Sequence, residues 1–176
     1  MHHYSIQKAF SLFELIITIS VLAIIACIAL PSFHNFREQQ EVSKIFPTLR
    51  QNIQLAKTLA ASFHNQIVIC SSNDAKNCLN DQWAQSLIIF SDLNRNKQLD
   101  QNEPVHQRST FDLRYGQLRW KGGTTNLNTL TFQRDNGLPR GSAGAFYYCS
   151  FDHPDHDLYI AMNNMGNTRV EKTNSC

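Results

Sequence analysis

The chain has 176 residues, of which 42% are hydrophobic and 17% are charged, and its formal net charge is +2. This length allows one domain with a core and an appendage, and the hydrophobic content excludes a generally disordered chain. The net charge is too small to indicate a nucleic-acid-binding protein by itself.

The first element is an apolar stretch from Phe10 to Leu30, in which the only ionisable side chains are Glu14 and Cys27. As a helix it is long enough to cross the ~30 Å hydrocarbon core of a bilayer. Lys8 precedes the stretch without a nearby acidic residue. This charge pattern keeps the N-terminus in the cytoplasm and sends the following residues to the far side of the membrane. No Ala-x-Ala pattern follows the stretch, which distinguishes it from an ordinary secretory signal peptide.

Glu14 is the unusual residue of this stretch. A carboxylate within a spanning helix costs up to ~2.5–3.5 kcal/mol near the middle of the bilayer and less toward its edge. One interpretation is an interfacial side chain that extends to the headgroups. The other is that Glu14 meets a positive group on another subunit, so that its cost is offset only on assembly.

Residues 8–19, KAFSLFELIITI, resemble the processing site of type IV prepilins and pseudopilins. In those families a prepilin peptidase cuts just before a Phe, which is then N-methylated, and a Glu follows four residues later. The resemblance implies cleavage between Ala9 and Phe10, with residues 1–9 as the leader. Ala9 stands where the families usually have Gly. In such filaments the Glu meets the new N-terminal amine of a neighbour, and the resemblance gives Glu14 this role.

Beyond Pro31 the apolar residues recur at helical spacing. One stripe consists of Leu49, Ile53, Ala56, Ala60 and Phe63. Such a stripe indicates a helix that packs one face on a domain. Pro47 is expected to kink or restart the helix. The sequence therefore predicts one long N-terminal helix, with residues 10–30 in the membrane and residues 31–65 as its soluble half.

Six later segments are rich in β-branched and aromatic residues and are separated by turn-rich sequence. We predict short strands at residues 66–70, 86–91, 127–133, 144–150, 158–162 and 168–172. The pattern predicts an antiparallel sheet packed on the helix, which is an α+β arrangement. Residues 66–176 would form this β-rich domain.

The cysteines of the soluble part form an even set: Cys70, Cys78, Cys149 and Cys176. In a domain beyond a membrane anchor, such a set suggests two disulfides and an oxidising compartment. Thiolate ligands of a metal ion are the alternative, although no Cys-x-x-Cys pair occurs.

The soluble part resembles the GspH/FimT group of minor pilins and pseudopilins. The residues that carry the resemblance are Cys70, Cys78, Trp83, Asp92, Asn94, Asn96, Glu103, Phe132, Asn136, Gly137, Phe146, Cys149, the run from Gly166 to Arg169, and Cys176. The resemblance implies a pilin-like fold in which Cys70 pairs with Cys78 and Cys149 pairs with Cys176. It also implies a minor pilin that takes part in assembling a type IV pilus or a type II secretion pseudopilus.

The same resemblance implies the partners and the location. The partners would be major and other minor pilins, the prepilin peptidase and the bacterial inner membrane. The N-terminus would be cytoplasmic and residues 66–176 periplasmic, and the chain would join a pilus or pseudopilus after assembly.

A polar stretch after the second predicted strand has the oxygen-ligand spacing of a calcium loop. Its candidate ligands are Asp92, Asn94, Asn96, Asp100 and Glu103. Lys97 stands where the sharp turn of such a loop needs Gly, and neither flank is typical of an EF-hand helix. The favoured interpretation is a polar loop without a metal.

The segment from Asp152 to Asp157 holds two histidines and three acidic residues, a set that a transition metal could use. Pro154 indicates a turn, and these residue types favour turns without any metal. We favour the turn.

Basic residues outnumber acidic ones from Arg108 to Arg140, and Arg169 and Lys172 add charge near the C-terminus. The candidates for DNA contacts are Arg119, Lys121, Arg140, Arg169 and Lys172. Some FimT proteins bind DNA during uptake through a Gly-Arg-x-Arg motif. The corresponding residues here are Gly166 to Arg169, in which Asn167 replaces the first arginine. A DNA-binding subunit for uptake of double-stranded DNA is therefore the alternative function, and a solvated basic surface is the simpler interpretation.

No catalytic pattern occurs: the sequence lacks a Gly-x-Ser-x-Gly elbow, a phosphate-binding loop and a His-Glu-x-x-His motif. We therefore expect neither an enzyme nor a cofactor.

Overall fold

The computed structural model describes residues 11–122, 128–172 and 176, and the side chains of residues 28–31 are outside that description. The leader and the Ala9–Phe10 cleavage site therefore lie outside the described residues. The chain divides into two compact units, Met1–Gln39 and Gln40–Cys176.

A single helix, α1, runs from Leu12 to Phe63 and contributes residues to both units. The predicted long N-terminal helix is thus confirmed, ending at Phe63 rather than at residue 65. The helix continues through Pro47 without a break, so it does not restart there as the sequence suggested as one possibility. Within the first unit it is long and apolar enough to cross a membrane.

In the described part of the chain, eight strands follow α1, and all their pairings are antiparallel. They are β1 (Ile67–Ser72), β2 (Ser86–Ser91), β3 (Val105–Thr110), β4 (Gly116–Gly122), β5 (Thr129–Phe132), β6 (Gly144–Ser150), β7 (Leu158–Met162) and β8 (Thr168–Lys172). The first sheet has the order β3-β2-β1-β5 and the second has the order β4-β6-β7-β8. The predicted α+β class is confirmed, although the strands form two sheets rather than one.

Strands β3 and β4 were not predicted from the sequence. Strand β3 lies at the edge of its sheet and its side chains are half-buried or exposed, so it lacks the apolar alternation that predicts a strand. Burial does alternate along strand β4: Leu118 and Trp120 are buried, and the residues that follow each of them, Arg119 and Lys121, are exposed. Its two terminal glycines and its charged residues hide this pattern, because such residues are depleted in strands.

The core of the second unit lies between α1 and the sheets. The helix contributes fully buried Ile45, Leu49 and Ile53, whose burial stabilises the fold by roughly 1.5–3 kcal/mol for each side chain. Phe63, the last residue of the predicted apolar stripe, is 57% exposed and stacks on His106 with ring centroids 5.5 Å apart. The stripe therefore leaves the core at the end of the helix.

A second, smaller hydrophobic cluster lies on the other face of the first sheet. Val68, Cys70, Ile88 and Phe90 are buried there beneath Cys78, Leu99 and Val105. The polar loop after β2 and the loop closed by Cys78 thus act as the cover of this face.

Candidate functional site

Glu14 lies in the first turn of α1, where the Ser11 hydroxyl oxygen accepts a hydrogen bond from its backbone N–H at 3.2 Å. Its carboxylate has no hydrogen-bond or ion-pair partner among residues 11–122, 128–172 and 176. The helix dipole favours an acid in this turn by ~0.3–1 kcal/mol. This is less than the ~2.5–3.5 kcal/mol that a carboxylate costs deep in a bilayer. Glu14 therefore gains from a cation that the described chain does not supply.

The helix surface around Glu14 is apolar and exposed. Leu12 is 77% exposed and Phe13 is 72% exposed. Two nearby hydroxyl groups bond within the helix, because Thr18 Oγ1 donates to the Leu15 carbonyl and Ser20 Oγ donates to the Ile16 carbonyl. Hydroxyls bonded in this way tolerate a hydrocarbon environment.

Two disulfides are present, Cys70–Cys78 and Cys149–Cys176. The first closes the loop after β1, and the second holds the C-terminal residue against β6. Cys27 on α1 is a free and exposed thiol.

Asp74 organises the loop that the first disulfide closes. Its Oδ1 accepts hydrogen bonds from the backbone N–H groups of Lys76 at 2.8 Å and Asn77 at 3.0 Å. These two bonds stabilise the ionised carboxylate and are the main reason that the pKa of Asp74 falls to about 2. The side chain is thus a structural acceptor of the loop.

In the calcium candidate, the acidic oxygens already accept hydrogen bonds from the protein. Asp92 is 2% exposed, and its carboxylate accepts from the backbone N–H groups of Asn96 and Lys97. Glu103 accepts from the N–H groups of Leu93 at 2.8 Å and Asp100 at 3.1 Å.

Two amide side chains bond to the third acidic residue of the loop: Asn94 Nδ2 and Asn96 Nδ2 each donate a hydrogen bond to Asp100 Oδ2 at 2.8 Å. Lys97, at the position where a calcium loop needs Gly, has a left-handed φ of 62°. A cation would have to displace the donors that hold the loop, so the geometry favours the polar-loop interpretation.

The Asp152–Asp157 segment forms a turn that contains a 3-10 helix at Pro154–His156. Asp157 is buried, and its Oδ1 accepts from the Ser150 N–H at 2.8 Å. This carboxylate therefore connects the turn back to the end of β6.

Three of the five basic candidates lie on one face of the second sheet. Strand register places Lys121 in a row with Ala145, Ala161 and Arg169 across β4, β6, β7 and β8. Arg119 belongs to the next row on the same face, because side chains two residues apart on a strand share a face.

The other two candidates lie elsewhere. Lys172 follows Arg169 by an odd number of residues on β8, so it faces the opposite side of the sheet. Arg140 lies in the loop before β6, where its guanidinium is 3.8 Å from the Asp135 carboxylate. Of the five candidate residues, Arg119, Lys121 and Arg169 therefore share a face, and Arg140 and Lys172 do not.

A depression of about 650 Å³ lies on this face, and we call it the cationic trough. Its lining includes the side chains of Lys121, Ala145, Tyr147, Tyr159, Ala161 and Arg169. The tyrosines form a pair whose ring centroids are 5.2 Å apart, and Lys121 Nζ lies 4.9 Å from the centroid of Tyr147. Sequence reasoning missed this pair, because only the cross-strand register shows that Tyr147 and Tyr159 are neighbours.

One end of the trough is connected to α1 through the turn between β7 and β8. Lys57 Nζ donates to the Met165 carbonyl at 2.8 Å. Gly166 has a φ of +72°, and a Cβ at this position would lie 2.8 Å from the Lys57 side chain. The left-handed φ is therefore the main reason for a glycine at this position of the predicted motif, and the Lys57 side chain packs against it.

Comparisons with known proteins agree on the fold. The family model described as type II transport protein GspH matches residues 48–166. A crystal structure of the type IV minor pilin FimU from Pseudomonas aeruginosa (strain PAO1) is similar with a TM-score of 0.56 at 18% identity, covering 80% of this chain and 95% of that chain. The minor pseudopilin EpsH from the type 2 secretion system of Vibrio cholerae is similar with a TM-score of 0.51 at 13% identity, covering 75% and 97%. No curated protein sequence matches the chain.

Proposed function

Because the chain belongs to the GspH family and has the fold of minor pilins and pseudopilins, we propose that it is a processed subunit of a type IV pilus or a type II secretion pseudopilus. Prepilin peptidase cuts between Ala9 and Phe10, and Phe10 becomes the N-methylated first residue. Before assembly, the subunit is inserted in the bacterial inner membrane with its N-terminus in the cytoplasm and residues 66–176 in the periplasm. It then assembles with major and other minor pilins.

The observation that carries this proposal is the unpartnered Glu14 carboxylate on an exposed apolar helix surface. Cleavage before Phe10 creates a new amino group near the start of that surface. In a filament, this amine on one subunit neutralises Glu14 on its neighbour and offsets the cost of the buried carboxylate. Residues 10–30 then pack in the filament interior, and the ion pair sets their register.

Incorporation of a Glu14→Ala variant into filaments tests the proposal. The variant removes the carboxylate and should lower the amount of subunit in sheared filaments by at least about tenfold. Thr18→Ala is a matched control, because the Thr18 hydroxyl bonds to a carbonyl of its own helix. Both variants should keep the two disulfides. Normal incorporation of Glu14→Ala would overturn the proposal.

A second function, DNA binding during uptake, is favoured by one specific observation: Arg119, Lys121 and Arg169 share a face of the second sheet. Cations gathered in this way neutralise phosphates and release counterions, so binding should weaken steeply with salt. Titration of detergent-solubilised full chain with labelled duplex DNA at low salt tests this function. The absence of binding at low salt would remove it.

A further inference from the structure

The cationic trough combines three features that a plain basic surface does not have. It has a cation at each end, Lys121 on β4 and Arg169 on β8. Its floor is formed by the small residues Ala145 and Ala161, which lie between the two cations in the same row. With four strands in the row, the Cα atoms of Lys121 and Arg169 are about 14 Å apart across the floor.

The tyrosine pair forms the third feature and lies directly beside this floor. Tyr147 and Tyr159 belong to the neighbouring row, two residues from Ala145 and Ala161, and both rings are half-buried. The two rings pack edge to face with an interplanar angle of 65°, so each ring restricts the rotation of the other, and we call the pair the aromatic platform. Lys121 packs on Tyr147, so the cation and the platform are adjacent.

The charge of the trough is positive where a ligand would lie. None of its described lining residues is acidic. Glu171 is an acidic residue on this face, where it is the cross-strand neighbour of Tyr159, and its carboxylate is 3.2 Å from the Arg169 guanidinium. The Arg169 side chain is still 72% exposed, so it can contact a ligand phosphate from its free side.

From this arrangement we propose that the cationic trough binds single-stranded nucleic acid, with bases stacked on Tyr147 and Tyr159 and with phosphates at Lys121 and Arg169. A positively charged groove with aromatic stacking surfaces is the general solution for binding single strands. A duplex presents phosphates but keeps its bases stacked on each other, so its bases cannot stack on the tyrosine rings. This inference rests on the second proposed function and specifies the form of nucleic acid that the site prefers.

Three labelled probes of equal length separate the possible results: an oligothymidine strand, an abasic strand and a duplex. Fluorescence anisotropy with the detergent-solubilised full chain should show oligothymidine bound at least about fivefold more tightly than either other probe. Tyr159→Ala should weaken oligothymidine binding by about tenfold and leave duplex binding unchanged. Tyr159→Phe keeps the ring and should bind like the unsubstituted chain.

The outcomes distinguish this inference from the function on which it rests. Equal binding of the three probes, with no effect of Tyr159→Ala, would overturn the stacking site and leave DNA binding intact. Failure to bind any probe at low salt would remove both. Because Tyr159 packs on Tyr147, the melting temperature of each variant is measured first. If Tyr159→Ala is unfolded, the test is the preference of the unsubstituted chain for oligothymidine over the abasic strand, and equal affinity for the two would overturn the stacking site.

Discussion

The Glu41 carboxylate on α1 accepts a hydrogen bond from the backbone N–H of Tyr115 at 3.1 Å, which connects the helix to the segment that leads into β4. Its other oxygen accepts from the Arg114 N–H at 2.9 Å. These are charge-assisted bonds to a segment that has no regular secondary structure. Glu41 thereby positions the start of the strand that carries Arg119 and Lys121.

Replacement of Glu41 by Ala should lower the free energy of unfolding by about 2 kcal/mol, because two backbone donors lose an ionised acceptor. Denaturant unfolding of the detergent-solubilised chain measures this. Gln54→Ala, at an exposed position on the same helix, is the matched control and should change stability by less than about 0.5 kcal/mol. Equal effects of the two variants would mean that Glu41 does not hold the segment.

The ionised Asp74 side chain should stabilise the fold at neutral pH and lose this effect in acid. Hydrogen bonds from Lys76 and Asn77 hold its folded-state pKa at about 2, below the ordinary 3.8. The contribution is therefore complete above the ordinary pKa and disappears as the pH falls through the folded-state pKa. The melting-temperature gap between the unsubstituted chain and Asp74→Asn should be constant from pH 7 to pH 5 and close between about pH 4 and pH 2. A gap that does not change with pH would contradict this assignment.

The Cys149–Cys176 disulfide should be a major source of stability for the C-terminal strand. The bridge closes a loop of sequence separation 27, so Cys176→Ser should destabilise the chain by ~3 kcal/mol. Cys27→Ser removes a thiol without removing a bridge and serves as the control. Unchanged denaturant unfolding of Cys176→Ser would show that the bridge does not contribute.

Arg169 and Lys172 form a matched pair for the DNA-binding proposal, because they lie on the same strand and face opposite sides of the sheet. Arg169→Ala should weaken duplex binding and reduce the slope of log affinity against log salt by about 1. Lys172→Ala removes the same formal charge and should change the slope much less. Equal slopes for the two variants would indicate a diffuse basic surface instead of a localised site.

Much of the architecture could be predicted because it follows local periodicity. The helical spacing from Leu49 to Ala60 predicted the packed face, and β2 was predicted with its observed bounds, Ser86–Ser91. The predicted membership of the GspH/FimT group is confirmed by the GspH family model and by the fold of the minor pilins. These features depend on residues that are close in sequence.

Features that depend on pairing could not be predicted in the same way. The opposite facing of Arg169 and Lys172 does not need pairing, because it follows from alternation within the strand predicted at residues 168–172. The Tyr147–Tyr159 platform requires the β6–β7 register, which short strands do not determine without tertiary packing. The placement of Arg119, Lys121 and Arg169 on one face also depends on this cross-strand register, so the sequence alone did not show it.

We propose that Glu14 is tolerated because processing frees an amine on a neighbouring subunit. Mass spectrometry of the native polypeptide, purified from cells with an active prepilin peptidase, tests it most directly. We predict a chain that begins at N-methylated Phe10 and keeps both disulfides. A chain that retains Met1 through Ala9 would have no such amine and would contradict the filament assignment.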